Sequence, residues 1–290
     1  MTRQRGAAGL KQLRGIAVPA ALFACALANG AEAQSPVAAS ATEAPTYADL
    51  VGLAEASGVV AEVTVKGQAV VPAERAPGLA PGRARLYLET QTQRVLKGPS
   101  ALGGSVSYLA DVPLDAKGKP PKLKKQAFLV FANSVAGRLG ELQLVAPDAQ
   151  LPLDPATEAR VRTVIGQLAE PRVAPRITGV RDVISVAGNL AGESETQMFV
   201  DTVGGAPVSL TVIRRPNMDP TWGVSWSEIV DQAAKPPERD TIAWYRLACS
   251  LPRRLPNRTF LQTDAAGRQR AEADYGFVLG QLGPCERTRH

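Results

Sequence analysis

Residues 126–134 read Gln-Ala-Phe-Leu-Val-Phe-Ala-Asn-Ser, the most apolar run of the chain outside its N-terminal segment. In extended backbone Ala127, Leu129 and Phe131 point to one face, and Phe128, Val130 and Ala132 to the other. A strand apolar on both faces has to be covered on both, which places it centrally in its sheet. Immediately before it stand Lys117, Lys119, Lys122, Lys124 and Lys125, separated by Gly118, Pro120 and Pro121.

Other strands are expected around this one. Residues 59–66 alternate: Val59, Ala61, Val63 and Val65 take one face, while Val60, Glu62, Thr64 and Lys66 are expected mostly to meet water. Residues 83–96 form a longer strand with Leu86 and Leu88 on one face. Its apolar phase has shifted by Val95 and Leu96, as a bulge would make it do. Residues 105–112 bury Val106, Tyr108, Ala110 and Val112, and residues 141–145 add a fifth strand. Five short strands separated by turn signals suit a barrel or a strongly curled sheet.

Helices are expected on either side. Thr46-Tyr47-Ala48-Asp49 has the form of a capping box, with Asp in place of Glu. Leu50, Leu53 and Ala54 supply that helix's apolar face, and Gly58 ends it. Asp154 and Pro155 open a second helix, with a stripe of Val161, Val164, Ile165 and Leu168. The proline-containing residues 170–176 mark a domain boundary.

The second half reads as α+β. Residues 196–203 and 206–214 form a hairpin about Gly204-Gly205, with Pro207 at a strand start. Residues 222–226 are a further strand, and residues 227–234 a short helix. Asp240 is placed to cap a helix at residues 241–251, and residues 264–282 form a longer helix stopped by Gly283-Pro284. The fold class is therefore α+β. An OB-like β-rich barrel or curled sheet occupies residues 46–170, and a smaller α+β domain occupies residues 171–290.

The sequence Arg94-Val95-Leu96-Lys97-Gly98 closing the second strand, with Ala127-Phe128-Leu129-Val130-Phe131 further on, resembles the tissue-inhibitor or netrin-like branch of five-stranded OB barrels. The resemblance covers residues 58–146 and implies an OB-type fold there. Those domains usually carry N-terminal cysteines on which protease inhibition depends. This chain lacks them, so that activity is not implied. The whole chain also resembles uncharacterised exported proteins of Gram-negative bacteria, which implies export and no particular activity.

Residues 1–33 have the layout of a secretory signal. A basic segment ends at Arg14, an apolar core of about 12 residues follows, and Ala31-Glu32-Ala33 precedes Gln34, so cleavage is expected between Ala33 and Gln34. The core is short of the ~20 apolar residues needed to span a bilayer. Residues 34–45, rich in Ala, Ser, Thr and Pro, read as a flexible lead-in. The expected location is the periplasm or the extracellular space, with no transmembrane segment in the mature chain. Once Cys25 leaves with the signal, Cys249 and Cys285 remain as a pair suited to a disulfide. Closing a loop of about 35 residues, the bond stabilises by roughly 3–4 kcal/mol in the chain-entropy view.

Composition narrows the chemistry. The formal charge is +6, of which residues 1–33 carry +3, so the mature chain has too small an excess for a nucleic-acid partner. The single histidine is the terminal His290, a poor place for a catalytic base. A Ser-His-Asp system or a histidine-built zinc site is therefore not expected. Gly223-Val224-Ser225-Trp226-Ser227 falls one glycine short of a nucleophile elbow, and an ordinary strand serine explains it. Glu193, Glu195, Asp201, Glu228 and Asp231 are the acids for carboxylate chemistry on glycans, although solvated acids are the default. Trp222, Trp226, Trp244 and Tyr245 suit either a stacking surface or a core, and the core reading is favoured. The five lysines suit an anionic partner by charge, but are favoured as a solubilising connection beside an apolar strand.

The function read from the sequence is non-catalytic binding or scaffolding in the periplasm or cell envelope, with an envelope protein as partner. No catalytic residue, cofactor or metal is assigned. The alternatives are a carboxylate-based glycan-acting enzyme and a small-molecule or lipid-binding barrel.

Overall fold

Thr46 starts the first element. Its hydroxyl accepts from Asp49 N at 3.1 Å, and the Asp49 carboxylate accepts from Thr46 N at 2.9 Å. This reciprocal cap opens helix α1 (Tyr47–Ala56), as the sequence predicts. The computed structural model describes residues 44–98, 102–227 and 234–289, and the elements below lie within one unit, Glu43–His290. The expected signal and its expected cleavage site between Ala33 and Gln34 lie outside the described residues.

Six strands follow: β1 (Val59–Val70), β2 (Arg83–Lys97), β3 (Ser105–Pro113), β4 (Ala127–Ser134), β5 (Leu142–Leu144) and β6 (Gln150–Pro152). They form one antiparallel sheet in the order β3-β2-β1-β4-β5, with β6 also pairing with β4. Strand β4 is internal, and Phe128, Leu129, Val130, Phe131 and Ala132 are all buried. On one face Val59, Ala61 and Val63 lie opposite Ala132, Val130 and Phe128. On the other, Val60 and Glu62 lie opposite Phe131 and Leu129.

That second face of β1 was expected mostly to meet water, and only its far end does: Lys66 is exposed and Thr64 half-buried, whereas Val60 and Glu62 are buried at the near end. Helices α1 and α2 (Pro155–Leu168) pack together over it. Lys97 Nζ donates to the Ala54 carbonyl of α1 at 2.7 Å. Arg162 of α2 donates to Glu62 at 3.2 Å, so Glu62 is only 5% exposed. Full burial of a side chain such as Phe131 or Leu129 stabilises the fold by about 1.5–3 kcal/mol.

The sheet curls but does not close into a barrel. Strand β3 reaches the segment around β5 through one parallel bridge, Ser107 to Glu141, and through Ser107 N to Gly140 O at 2.8 Å and Asp111 N to Pro147 O at 2.7 Å. Gly140 has φ +81°, and a Cβ there would lie 3.4 Å from Ser105 O. The chain arrives at this junction in a turn, and β5 is too short to extend a ladder. The bulge expected in the second strand is present. Opposite β1, the register of β2 skips Leu96 and Gln93, and Lys66 is an extra residue in β1.

The second sheet contains β7 (Ile177–Ala187), β8 (Ser194–Thr202), β9 (Val208–Arg214) and β10 (Thr221–Ser225), in the order β10-β9-β8-β7. Strand β7 is not evident from the sequence. Its register shifts twice, and its buried residues Ile177, Val180 and Val183 fall at intervals of three, which hides the period of two. The β8–β9 connection spans Val203 to Pro207 rather than two glycines. Gly204 and Gly205 both adopt positive φ, and Pro207 sits just outside β9.

Helices α3 (Ile242–Ala248) and α4 (Ala265–Leu282) complete the unit. The cap of α3 is Thr241, not Asp240. The Thr241 hydroxyl accepts from Trp244 N at 3.2 Å, while Asp240 occupies the preceding turn at φ +59°. Asp264, expected as the first residue of α4, is its cap: its carboxylate accepts from Gly267 N at 2.6 Å. The helix expected at residues 227–234 falls largely outside the described residues. Cys249 and Cys285 form the disulfide, tying the ends of α3 and α4 together. No helix among the described residues is long and apolar enough to cross a membrane.

Candidate functional site

The outer face of the β2–β3 ribbon carries the candidate site. Register places Arg85 opposite Asp111, Tyr87 opposite Leu109, Glu89 opposite Ser107 and Gln91 opposite Ser105. Side chains directly opposite in an antiparallel pair share a face. The alternate positions Leu86, Leu88, Tyr108 and Ala110 are buried on the inner face. The sequence therefore directs one phase inward and the other outward.

Two clefts of about 650 Å³ and 750 Å³ flank the Ser107–Glu141 bridge, and Tyr87, Ser107 and Glu141 line both. The first opens where β3 and the segment after β4 part between their contacts at Gly140 and Pro147, and the second lies on the far side of Gly140, beside Gly104 and Ser105. The β4–β5 loop forms one wall. Arg138 and Glu141 pair across it at 3.1 Å. Leu139, between them, is held out at 105% exposure. Tyr87 and Leu109 are 39% and 47% exposed. Tyr87 thus borders both partly polar clefts, with Leu109 in the first and Leu139 in the second.

At the other end of the ribbon, Arg85 and Asp111 form a two-pronged ion pair, with Nε to Oδ1 at 2.7 Å and Nη2 to Oδ2 at 2.9 Å. Arg85 Nη1 also donates to the Pro77 carbonyl at 3.1 Å, pinning the β1–β2 loop. The hydrogen bond to Asp111 holds Arg85 above its ordinary pKa against a smaller opposing effect of burial. Both members of the pair are committed to each other, so they shape the cleft wall and are poorly placed for proton transfer.

The residues singled out from the sequence fall elsewhere. Lys117, Lys119, Lys122, Lys124 and Lys125 are all exposed on the β3–β4 connection. Glu193 accepts from Leu190 N within its own turn at 3.3 Å. Glu195 accepts from Gln197 at 2.8 Å, and Asp201 is exposed at 3.9 Å from Arg181. Glu228 and Asp231 lie outside the described residues. Trp222, Trp244 and Tyr245 are core residues: all three are buried, and Trp244 Nε1 donates to Leu282 O at 2.8 Å. Ser225 is a buried residue of β10. Among the described residues no cluster of three or more His, Cys, Asp or Glu is arranged to hold a metal ion.

Sequence reasoning missed Tyr87, Leu109 and Leu139. A signal for them exists. Tyr87 and Leu109 are apolar residues on the otherwise polar phase of amphipathic strands, and Leu139 is a large apolar residue in a loop between Gly137 and Gly140. No protein-family model matches the chain, and a search of curated proteins gives no significant match.

Proposed function

We propose that this chain is an exported protein of the periplasm or cell envelope that works without catalysis, by binding a protein partner on the outer face of the β2–β3 ribbon. One observation carries the reading: exposed Tyr87 lines two adjoining clefts, one of which also holds Leu109 and the other Leu139. A tyrosine in a concave, partly polar surface is the kind of residue on which protein interfaces concentrate affinity.

The first sheet is read as an OB-like fold. Its strand order and the parallel contact of β3 with the segment entering β5 support that reading. OB folds bind ligands on the face of strands two and three, between the loops after strands one and four. On that reading, Tyr87, Leu109 and the loop bearing Leu139 correspond to that position. Export is supported by the signal-like residues 1–33 and by the Cys249–Cys285 disulfide, which suits an oxidising compartment.

The test is capture from envelope extract with the chain starting at Gln34, alongside a Tyr87→Ala/Leu139→Asp variant. A partner is expected to be retained by the native chain and lost by the variant, with thermal stability unchanged. Equal retention by both contradicts the assignment of the face. Absence of a partner, combined with turnover of an envelope glycan that is lost in Glu193→Gln or Glu195→Gln, contradicts the functional class. Intact mass of the exported protein should correspond to a chain beginning at Gln34.

A further inference from the structure

The lysine loop is a second surface, at the other end of β4 from Leu139. The loop runs over residues 114–126. Of the formal charge of +6, residues 1–33 hold +3 and this loop holds +4, which leaves the rest of the chain at −1. The net positive charge of the mature protein therefore resides in this one connection.

The chain separates its two kinds of cation. Every ion pair among the described residues uses an arginine. The five loop lysines are exposed, and none makes an ion pair among the described residues. The loop nevertheless has a fixed backbone. Asp115 accepts from Lys117 N at 2.9 Å and Lys119 N at 2.8 Å. Gln68 of β1 accepts from Leu123 N at 2.6 Å and donates to Pro121 O at 3.0 Å. Lys125 N donates to Val65 O at 2.8 Å. Lys125 itself has φ +71°, a strained conformation for a side-chain-bearing residue, although the same loop uses Gly118 at φ +71°. A merely solubilising loop has no need to hold a lysine there.

We infer that this loop is an electrostatic docking surface for an anionic phospholipid bilayer. The loop contains neither arginine for two-pronged recognition nor an aromatic for base stacking, which disfavours a nucleic acid. Lysine is a hydrated point charge that responds to charge density, and a bilayer surface presents that over a plane. The apolar residue within the lysine run, Leu123, is buried, so the contact is made at headgroup level without insertion. Docked this way, the protein would present the β4–β5 loop at the far end of β4, roughly 25 Å along the strand.

The test is co-sedimentation of the chain from Gln34 with vesicles of about 30% phosphatidylglycerol in phosphatidylcholine, against pure phosphatidylcholine. Binding is expected to the anionic vesicles alone, falling about fivefold for each Lys→Gln change among the five. It should vanish at about 0.5 M salt and survive replacement of all five lysines by arginine. Lys125→Asn, which suits the backbone, should weaken binding while leaving thermal stability equal or higher. Three results overturn the inference: no binding to anionic vesicles at low salt, equal binding to neutral ones, or full binding by the chain with all five lysines changed to glutamine. Tight binding of soluble polyphosphate with none to vesicles overturns it in favour of a polyanion.

Discussion

Helix α1 and the β2–β3 face use polar chemistry in opposite ways. Around α1 the charges are satisfied. Glu55 receives Arg246 Nη1 at 2.9 Å and Nη2 at 2.5 Å, with Arg176 at 3.4 Å. Arg246 also reaches Ala174 O at 3.1 Å. Asp49 accepts from Thr46, from Thr288 N at 3.0 Å and Oγ1 at 2.8 Å, and from Arg289 N at 3.3 Å. Burial alone would raise both carboxyls, but these donors hold Asp49 and Glu55 below their ordinary pKa values. The β2–β3 face satisfies one pair, Arg85 with Asp111, but leaves Tyr87 and Leu109 open to solvent, with Leu139 of the β4–β5 loop also exposed nearby. Satisfied polar groups around α1 hold the architecture together, and the reading proposed above assigns the apolar groups beside the two clefts to a partner.

The contrast makes graded predictions. Arg246→Ala should have the largest effect, because it strips Glu55 of its main counter-charge in a nearly buried site. A loss of about 3–5 kcal/mol is expected, seen as a fall in melting temperature of about 10 °C. Replacing both Cys249 and Cys285 by serine should cost roughly 3–4 kcal/mol, measured by denaturant unfolding. A drop to acid comes next. Because the folded pKa values of Asp49 and Glu55 are depressed, their stabilisation is present above about pH 4.5 and is lost as the pH falls further. A melting-temperature profile should be flat near neutrality and bend downward in that range, and Asp49→Asn should flatten the bend. Tyr87→Ala should have the smallest effect on stability, within about 0.5 kcal/mol, while weakening partner binding at least ~10-fold. If Tyr87→Ala unfolds the protein, or Arg246→Ala leaves it intact, the contrast between the regions fails.

Much of the architecture is legible in the sequence where local signals act alone. The run at Phe128–Ala132 announces an internal strand, Thr46 with Asp49 announces a cap, and Asp154 with Pro155 announces α2. What escapes is set by distant neighbours. Whether Val60 and Glu62 meet water depends on two helices separated by about 100 residues of chain, one of which carries Arg162. Strand β7 escapes because bulges break its alternation. The anchoring of Asp49 by Thr288 and Arg289 joins positions 239 and 240 residues apart, and no local pattern encodes it. Of the candidate site, the strands were legible and the exposed residues were not. Tyr87 and Leu109 differ from core residues only by phase, and that phase acquires meaning once the sheet's inner face is known.

The proposal to be tested is that the β2–β3 face, apart from the lysine loop at the other end of β4, meets a protein partner. Site-specific photo-cross-linking from position 139 tests it directly, with position 186, where Val186 is 58% exposed on the second sheet, as the control. In envelope extract the account predicts one discrete adduct from position 139, a matching adduct from position 87, and none from position 186. No adduct from positions 139 and 87, or equal adducts from all three, would contradict it.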